Sequence, residues 1–258
     1  MANPIPYLFI HKKLVTAVQT PDKYASDWKT IAEALPDLVR DDGFIVAGDP
    51  SRPEHKALLT RWFVPATNAN PDAAIAALVP TLRRGLLNIS IGLKVGDLII
   101  LDDPSQRGTN STWEQSEAYT FPSGDIHAVW VEPGFWGGGN TLTGATNWAR
   151  IIVHELTHNY CQTEDHSYSW QGLLPRESDV FRRVNNTRVA LDADFPAVRT
   201  LTMDQCLTNA DSWAFFCADA AGALTDRDRI AALGSKLYAD SGWKPTQKIA
   251  RTVVAQAR

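Results

Sequence analysis

The sequence predicts an α+β fold in which a small twisted sheet packs on a central helix and the C-terminal part is rich in helices. Three observations predict it. Apolar residues recur at helical spacing from Asp72 to Leu87 and from Thr143 to Cys161. Leu98–Leu101 and residues 126–132 read as short strands ending at turn residues. From Leu207 through Tyr238, Ala, Leu, Phe and Trp again take helical spacing.

Taken in order, residues 23–41 place Tyr24, Trp28, Ile31, Ala32, Leu35 and Leu38 on one helical face that Pro36 bends or breaks. Residues 43–50 and 59–65 read as short strands or connections bounded by Pro50, Pro53 and Pro65. The helix from Asp72 to Leu87 carries Ala74, Ile75, Ala77, Leu78, Leu82 and Leu86 at helical spacing, with Pro80 inside it, which predicts a kink. Leu98–Leu101 is a buried strand that leaves through Asp102-Asp103-Pro104 into a long polar loop. In residues 126–132, Ile126, Ala128 and Trp130 alternate up to Glu132-Pro133-Gly134, as in a strand ending at a turn. Gly137-Gly138-Gly139 lacks the Lys-Ser/Thr of a phosphate loop and reads as a flexible connection. The tail after Pro245 is a surface helix or a loose end.

Composition narrows the function. The 258 residues are 44% hydrophobic and 21% charged, ordinary for a globular chain. The 25 basic and 29 acidic residues give a net charge of −4, and no basic run exceeds a pair such as Lys12-Lys13, so nucleic acid is not an expected partner. No uninterrupted apolar run nears the roughly 18 residues of a bilayer span, so no membrane association is expected. The first 13 residues carry two prolines in the apolar run and their positive charge after it, the reverse of a secretory signal. Three cysteines, Cys161, Cys206 and Cys217, allow one disulfide at most and no disulfide framework.

The chemistry concentrates in the helix 143–161. It contains His154-Glu155-Leu156-Thr157-His158. Histidines four residues apart on a helix face the same side one turn apart, so both imidazoles can reach one metal ion at about 2.0 Å. Glu155 then lies beside that metal. The flanking Ile151, Ile152, Val153 and Leu156 make the helix central instead of a solvated surface element. A catalytic zinc needs three protein ligands and one open position. Cys161 is too far along the axis to coordinate easily. Glu164 has the spacing of a metzincin third ligand, but Cys161 stands where that pattern needs glycine. Glu177, in Arg176-Glu177-Ser178-Asp179, has a gluzincin spacing, and His166 suits zinc by chemistry alone. His11, His55 and His127 have no ligand-like partners in the sequence.

Just after the helix comes Thr163-Glu164-Asp165-His166-Ser167-Tyr168, a Thr-x-Asp-x-x-Tyr string. Joined to His-Glu-x-x-His, it resembles the aspzincins, the deuterolysin and peptidyl-lysine metalloendopeptidase group. Asn209-Ala210-Asp211-Ser212-Trp213-Ala214-Phe215-Phe216 is similar to that family's Asn-Ala-Asp-Ser-Tyr-Glu-Tyr-Phe helix, and Val131-Glu132-Pro133-Gly134-Phe135-Trp136 is similar to the strand and loop before its metal helix. The resemblance spans residues 127–221. It departs at Gln162 and Ser169, where the family has glycine.

The resemblance implies a zincin-type metalloprotease, with Zn2+ held by His154, His158 and Asp165. Residues 71–258 would form the catalytic domain and residues 1–70 an N-terminal cap or accessory region. Zinc lowers the pKa of a bound water towards about 7. Glu155 would take the proton as general base and return it to the leaving amine, and the Tyr168 hydroxyl would stabilise the oxyanion. The substrate would be a protein or peptide. In lysine-selective members an aspartate and a glutamate of the Asn-Ala-Asp helix line an acidic pocket. Here Asp211 matches the first and Ala214 replaces the second, which implies a broader endopeptidase with a mild basic preference at most. The alternative for Asp211 is a helix residue bonded to nearby backbone or to a group behind the ligands. Two rival readings are a zinc peptidase or amidase directed at peptidoglycan, and a non-catalytic binding module with a closed, four-ligand zinc site. Family members are generally secreted, so this chain is expected to be an exported effector or toxin using a route without a classical signal peptide, or else cytoplasmic.

Overall fold

The computed structural model describes residues 7–9, 35, 43–65, 68–95, 98–101, 117–121, 127–131, 135, 142, 144–176, 181–184, 187–190 and 201–239. The predicted helix at 23–41, apart from Leu35, the glycine loop, Glu177 and the tail lie outside them.

Two expected strands or connections are helices instead: α1, Ile45–Gly48, and α2, Pro53–Phe63. Pro53 occupies the first turn of α2, where a missing N–H costs nothing, so the proline starts this helix instead of bounding a strand. Glu54 in the first turn and Arg61 in the last suit the helix dipole. Leu59, Trp62 and Phe63, at helical spacing, are fully buried.

Helix α3, Pro71–Val95, runs further than expected and continues through Pro80. The Asn70 side chain accepts the Ala73 N–H (3.2 Å) and caps its start. By length and composition Pro71–Leu93 could cross a membrane, a property that counting uninterrupted apolar residues misses. Its face of Ile75, Leu78, Leu82, Leu86, Ile89 and Leu93 is buried in the protein core.

Four strands form one sheet: β1, Tyr7–Phe9; β2, Leu98–Leu101; β3, Ala118–Thr120; and β4, His127–Val131. The order is β1-β2-β4-β3, with β2 and β4 parallel and both outer pairs antiparallel. The predicted strands are β2 and β4. Helix α4, Gly144–Cys161, packs against β3 and β4 and matches the predicted central helix. At the β3–α4 junction the Thr120 hydroxyl donates to Ala128 O (2.6 Å), with the Asn159 amide 3.0 Å away.

After α4 come β5, Pro175–Arg176; β6, Phe181–Val184; β7, Thr187–Ala190; and β8, Leu201–Thr202. β5 pairs with β8, and β6 with β7. Three helices follow: α5, Met203–Thr208; α6, Ala210–Ala220; and α7, Asp226–Ala239. The fold is α+β and mostly helical.

Helices α2, α3, α4 and α6 enclose the core. Within the expected accessory region, residues 43–64 pack into it: Trp62 meets Phe215 and Phe63 meets Phe216, with ring centroids 5.7 and 5.3 Å apart. The Asp219 carboxylate ties α2, α6 and α7 together, accepting from Arg61, from Trp62 Nε1 (2.9 Å) and from Arg229 Nε (2.6 Å). Glycine lets α3 approach α4 and α6. A Cβ on Gly85 would stand 2.6 Å from the Trp213 ring and 2.7 Å from Cys161 Sγ, and one on Gly92 would overlap the Tyr160 hydroxyl.

Candidate metal centre

Helix α4 is buried from Asn147 through His158, so it carries two imidazoles and a carboxyl into the interior. His154 and His158 lie one turn apart, with ring centroids 4.9 Å apart and planes at 80°. Each Nδ1 is committed behind the site. His154 Nδ1 lies 2.8 Å from Asp211 Oδ1, and His158 Nδ1 lies 2.7 Å from the Thr163 carbonyl oxygen. A carbonyl or a carboxylate can only accept, so both Nδ1 atoms carry hydrogen and both Nε2 atoms are free to bind a metal.

The Nε2 atoms converge with one carboxylate oxygen. His154 Nε2 and His158 Nε2 are 3.2 Å apart, and Asp165 Oδ1 lies 3.1 and 3.4 Å from them. Ligand atoms about 2.0–2.1 Å from a tetrahedral zinc stand roughly 3.3 Å apart, so these three span one face of such a tetrahedron. Without a cation between them, three electron-rich atoms would repel. Burial opposes charge on His154, but hydrogen bonds to Asp165 and Asp211 push its pKa up to about 10. Asp165 responds in the opposite sense. Burial would raise its pKa, and bonds to both histidines hold it far below the usual carboxylate range. The donor set and its spacing fit zinc.

The loop carrying Asp165 is built against α6. Helix α4 ends at Gln162, whose φ of 56° is left-handed, so this position demands the backbone that glycine adopts freely. Ser169, the other departure from glycine, has no positive φ. Beyond the turn, Glu164 N–H donates to Thr208 O (2.7 Å) and Ala210 N–H to Glu164 O (3.0 Å). Asn209, fully buried, accepts the Ser167 N–H through Oδ1 (2.9 Å). Two threonines tie the loop back to α4: Thr157 Oγ1 donates to His154 O (2.7 Å) and lies 2.7 Å from Thr163 Oγ1.

Glu155 is buried beside the three ligand atoms, and its carboxyl makes no hydrogen bond among the described residues. Burial raises its pKa, although both histidines oppose the rise. The half-buried Tyr168 donates its hydroxyl to Asp165 Oδ2 (2.9 Å). Its ring stacks on Trp170 at 4.3 Å and lies parallel to His154 at 6.1 Å.

The expected acidic pocket takes a different form. Asp211 is 1% exposed, and its oxygens are filled by His154 Nδ1, Arg150 Nη1 (2.8 Å) and the Ser169 N–H (2.8 Å). It stands behind a histidine, the alternative weighed for it, and not on an open pocket. Ala214 is equally buried, in the hydrophobic core. Both side chains are buried where they stand.

The other ligand candidates point elsewhere. His166 Nε2 faces Thr208 Oγ1 (2.9 Å) and Glu164 (3.7 Å), and Glu164 is exposed. Cys161 packs at the Gly85 crossing and is not among the clustered ligand atoms, and burial pushes its thiol up to about 12. No disulfide joins Cys161, Cys206 and Cys217. Sequence reasoning missed Arg150 and the Thr163 carbonyl. Arg150 had a visible signal, since a basic residue one turn before His154 shares its helical face.

A model of the aspzincin family, described as lysine-specific metallo-endopeptidase, matches residues 50–190. The matched stretch contains His154, Glu155, His158, Asp165 and Tyr168. Searches of the curated proteins and of the solved structures found no match. With more than half of its length matched, the chain belongs to the aspzincin family of zinc-dependent metallopeptidases.

Proposed function

We propose that the protein is an endopeptidase in which His154, His158 and Asp165 hold the zinc, Glu155 is the general base and Tyr168 is the oxyanion donor. The observation that carries this reading is the convergence of three ligand atoms within 3.1–3.4 Å of one another beside the buried carboxyl of Glu155. Zinc, when bound, supplies a Lewis acid that lowers the pKa of water and polarises a carbonyl.

The protein side chains do the rest. Glu155 takes a proton from the attacking water as the oxygen bonds to the peptide carbon. It delivers that proton to the amine nitrogen as the C–N bond breaks. Burial raises its pKa above the ordinary carboxylate value, the direction that favours transfer both ways. The Tyr168 hydroxyl, held by stacking on Trp170, turns from Asp165 to the developing oxyanion. Among the described residues the cluster has three members, which supports an open fourth position over a closed, purely structural site. On this reading the fold is zincin-type, with the sheet packed on the metal helix.

The recognition of lysine belongs to the family's description. For this chain we infer a broader specificity, because Asp211 is consumed internally and Ala214 lies in the core. Digestion of casein beside purified peptidoglycan tests the reading. Casein should be cleaved by the wild type and spared by Glu155→Gln. Release of stem peptides with casein untouched would instead establish the peptidoglycan reading.

A further inference from the structure

We propose that Arg150 is a positioning residue for the metal centre, acting through Asp211 on the imidazole of His154. This rests on the reading of His154 as a zinc ligand. Arg150 is 5% exposed, and every nitrogen of its guanidinium is engaged. Nε and Nη2 donate to Asn147 Oδ1 (3.1 and 3.0 Å), Nη1 donates to Asp211 Oδ1 (2.8 Å), and Nη2 lies 3.4 Å from Glu117 Oε2. The guanidinium also lies over the Phe215 ring, 5.1 Å from its centroid. A fork held on all sides has one orientation, and it passes that orientation to whatever it grips.

What it grips is the oxygen that holds His154. Asp211 Oδ1 is 2.8 Å from both Arg150 Nη1 and His154 Nδ1, and Oδ2 is fixed by the Ser169 N–H. The plane of the carboxylate is thereby set, and with it the rotation of the imidazole that aims Nε2. Charge argues the same way. A carboxylate in a dry interior needs a balancing cation, and Arg150 is the only Lys or Arg side chain within contact of Asp211 among the described residues. Arg150 and Asn147 lie on the same helix as His154, one and two turns back, so α4 carries the ligand and much of its support.

The test is zinc affinity, measured by competition with a chromophoric chelator, together with the melting temperature of the metal-free protein. Arg150→Met should weaken zinc binding about 10- to 100-fold, the range for loss of a partner behind a metal ligand. Arg150→Lys, which keeps the charge but not the fork, should recover part of that loss. In an Asp211→Asn background, Arg150→Met should cost little further affinity. Unchanged affinity in Arg150→Met would overturn the proposal. So would an equal loss with and without Asp211, which would mark an effect through the fold. If Arg150→Met does not fold, Arg150→Lys in both backgrounds decides by the same comparison. His154→Ala separates the two levels: retention of tight zinc binding there would overturn the metal reading itself.

Discussion

His154 Nδ1 lies 2.8 Å from Asp211 Oδ1, although 57 residues separate the two in sequence. The contact joins α4 to α6 and, with His154 as the proposed zinc ligand, commits the aspartate to orienting it. Asp211→Asn should therefore weaken zinc binding about 10- to 100-fold. Its cleavage-site preferences, once reloaded with zinc, should match those of the wild type. Mass-spectrometric mapping on a denatured protein mixture checks this. A preference for basic residues that disappears with Asp211→Asn would return the aspartate to a substrate pocket.

Ala214→Glu places a carboxylate in the core beside Trp213 and Phe215, where burying an unpaired charge costs several kcal/mol. A markedly lowered melting temperature is expected, without any gain in cleavage before lysine.

Gln162→Gly should stabilise the protein. Relief of left-handed strain, about 1–2 kcal/mol, exceeds the entropic cost of glycine, about 0.5–1 kcal/mol. The net gain of about 0.5–1 kcal/mol corresponds to a rise of roughly 1–3 °C in thermal midpoint. Calorimetry on matched zinc-loaded samples measures it, and a lowered midpoint would contradict the account of the turn.

Gly85→Ala should do the opposite. Alanine in a helix interior normally gains about 1 kcal/mol over glycine. Here the added methyl would meet the Trp213 ring at 2.6 Å and Cys161 Sγ at 2.7 Å. Overpacking of that kind costs about 1–3 kcal/mol, so the sign reverses where the helices cannot separate. Denaturant titration should show a lower midpoint.

Tyr168→Phe should keep its zinc and lose on the order of 10²-fold in turnover, as for removal of one oxyanion donor. Loss of metal with turnover per bound zinc preserved would show that the hydroxyl serves only Asp165, which it contacts at 2.9 Å.

The parts of this molecule that sequence reveals are those written in local periodicity. His154 and His158 at i and i+4, the apolar face of α3 and the runs of β2 and β4 all follow from spacing alone. Asp165 came from a short motif, because the turn that brings it back to the helix is itself local. Helices α1 and α2 were hidden by prolines, since Pro53 can start a helix as readily as it ends a strand. The role of Asp211 was hidden more deeply. A carboxylate's duty depends on what faces it, and Arg150 and His154 meet it only after α4 and α6 have packed. Its resemblance to a pocket residue could be read from the motif, but its internal partners could not.

The central claim is that zinc is held by His154, His158 and Asp165, and metal analysis of Asp165→Ala beside Glu177→Ala tests it most directly. The account predicts one zinc per chain in Glu177→Ala, as in the wild type, and little or none in Asp165→Ala after dialysis. Zinc retained by Asp165→Ala and lost by Glu177→Ala would contradict it.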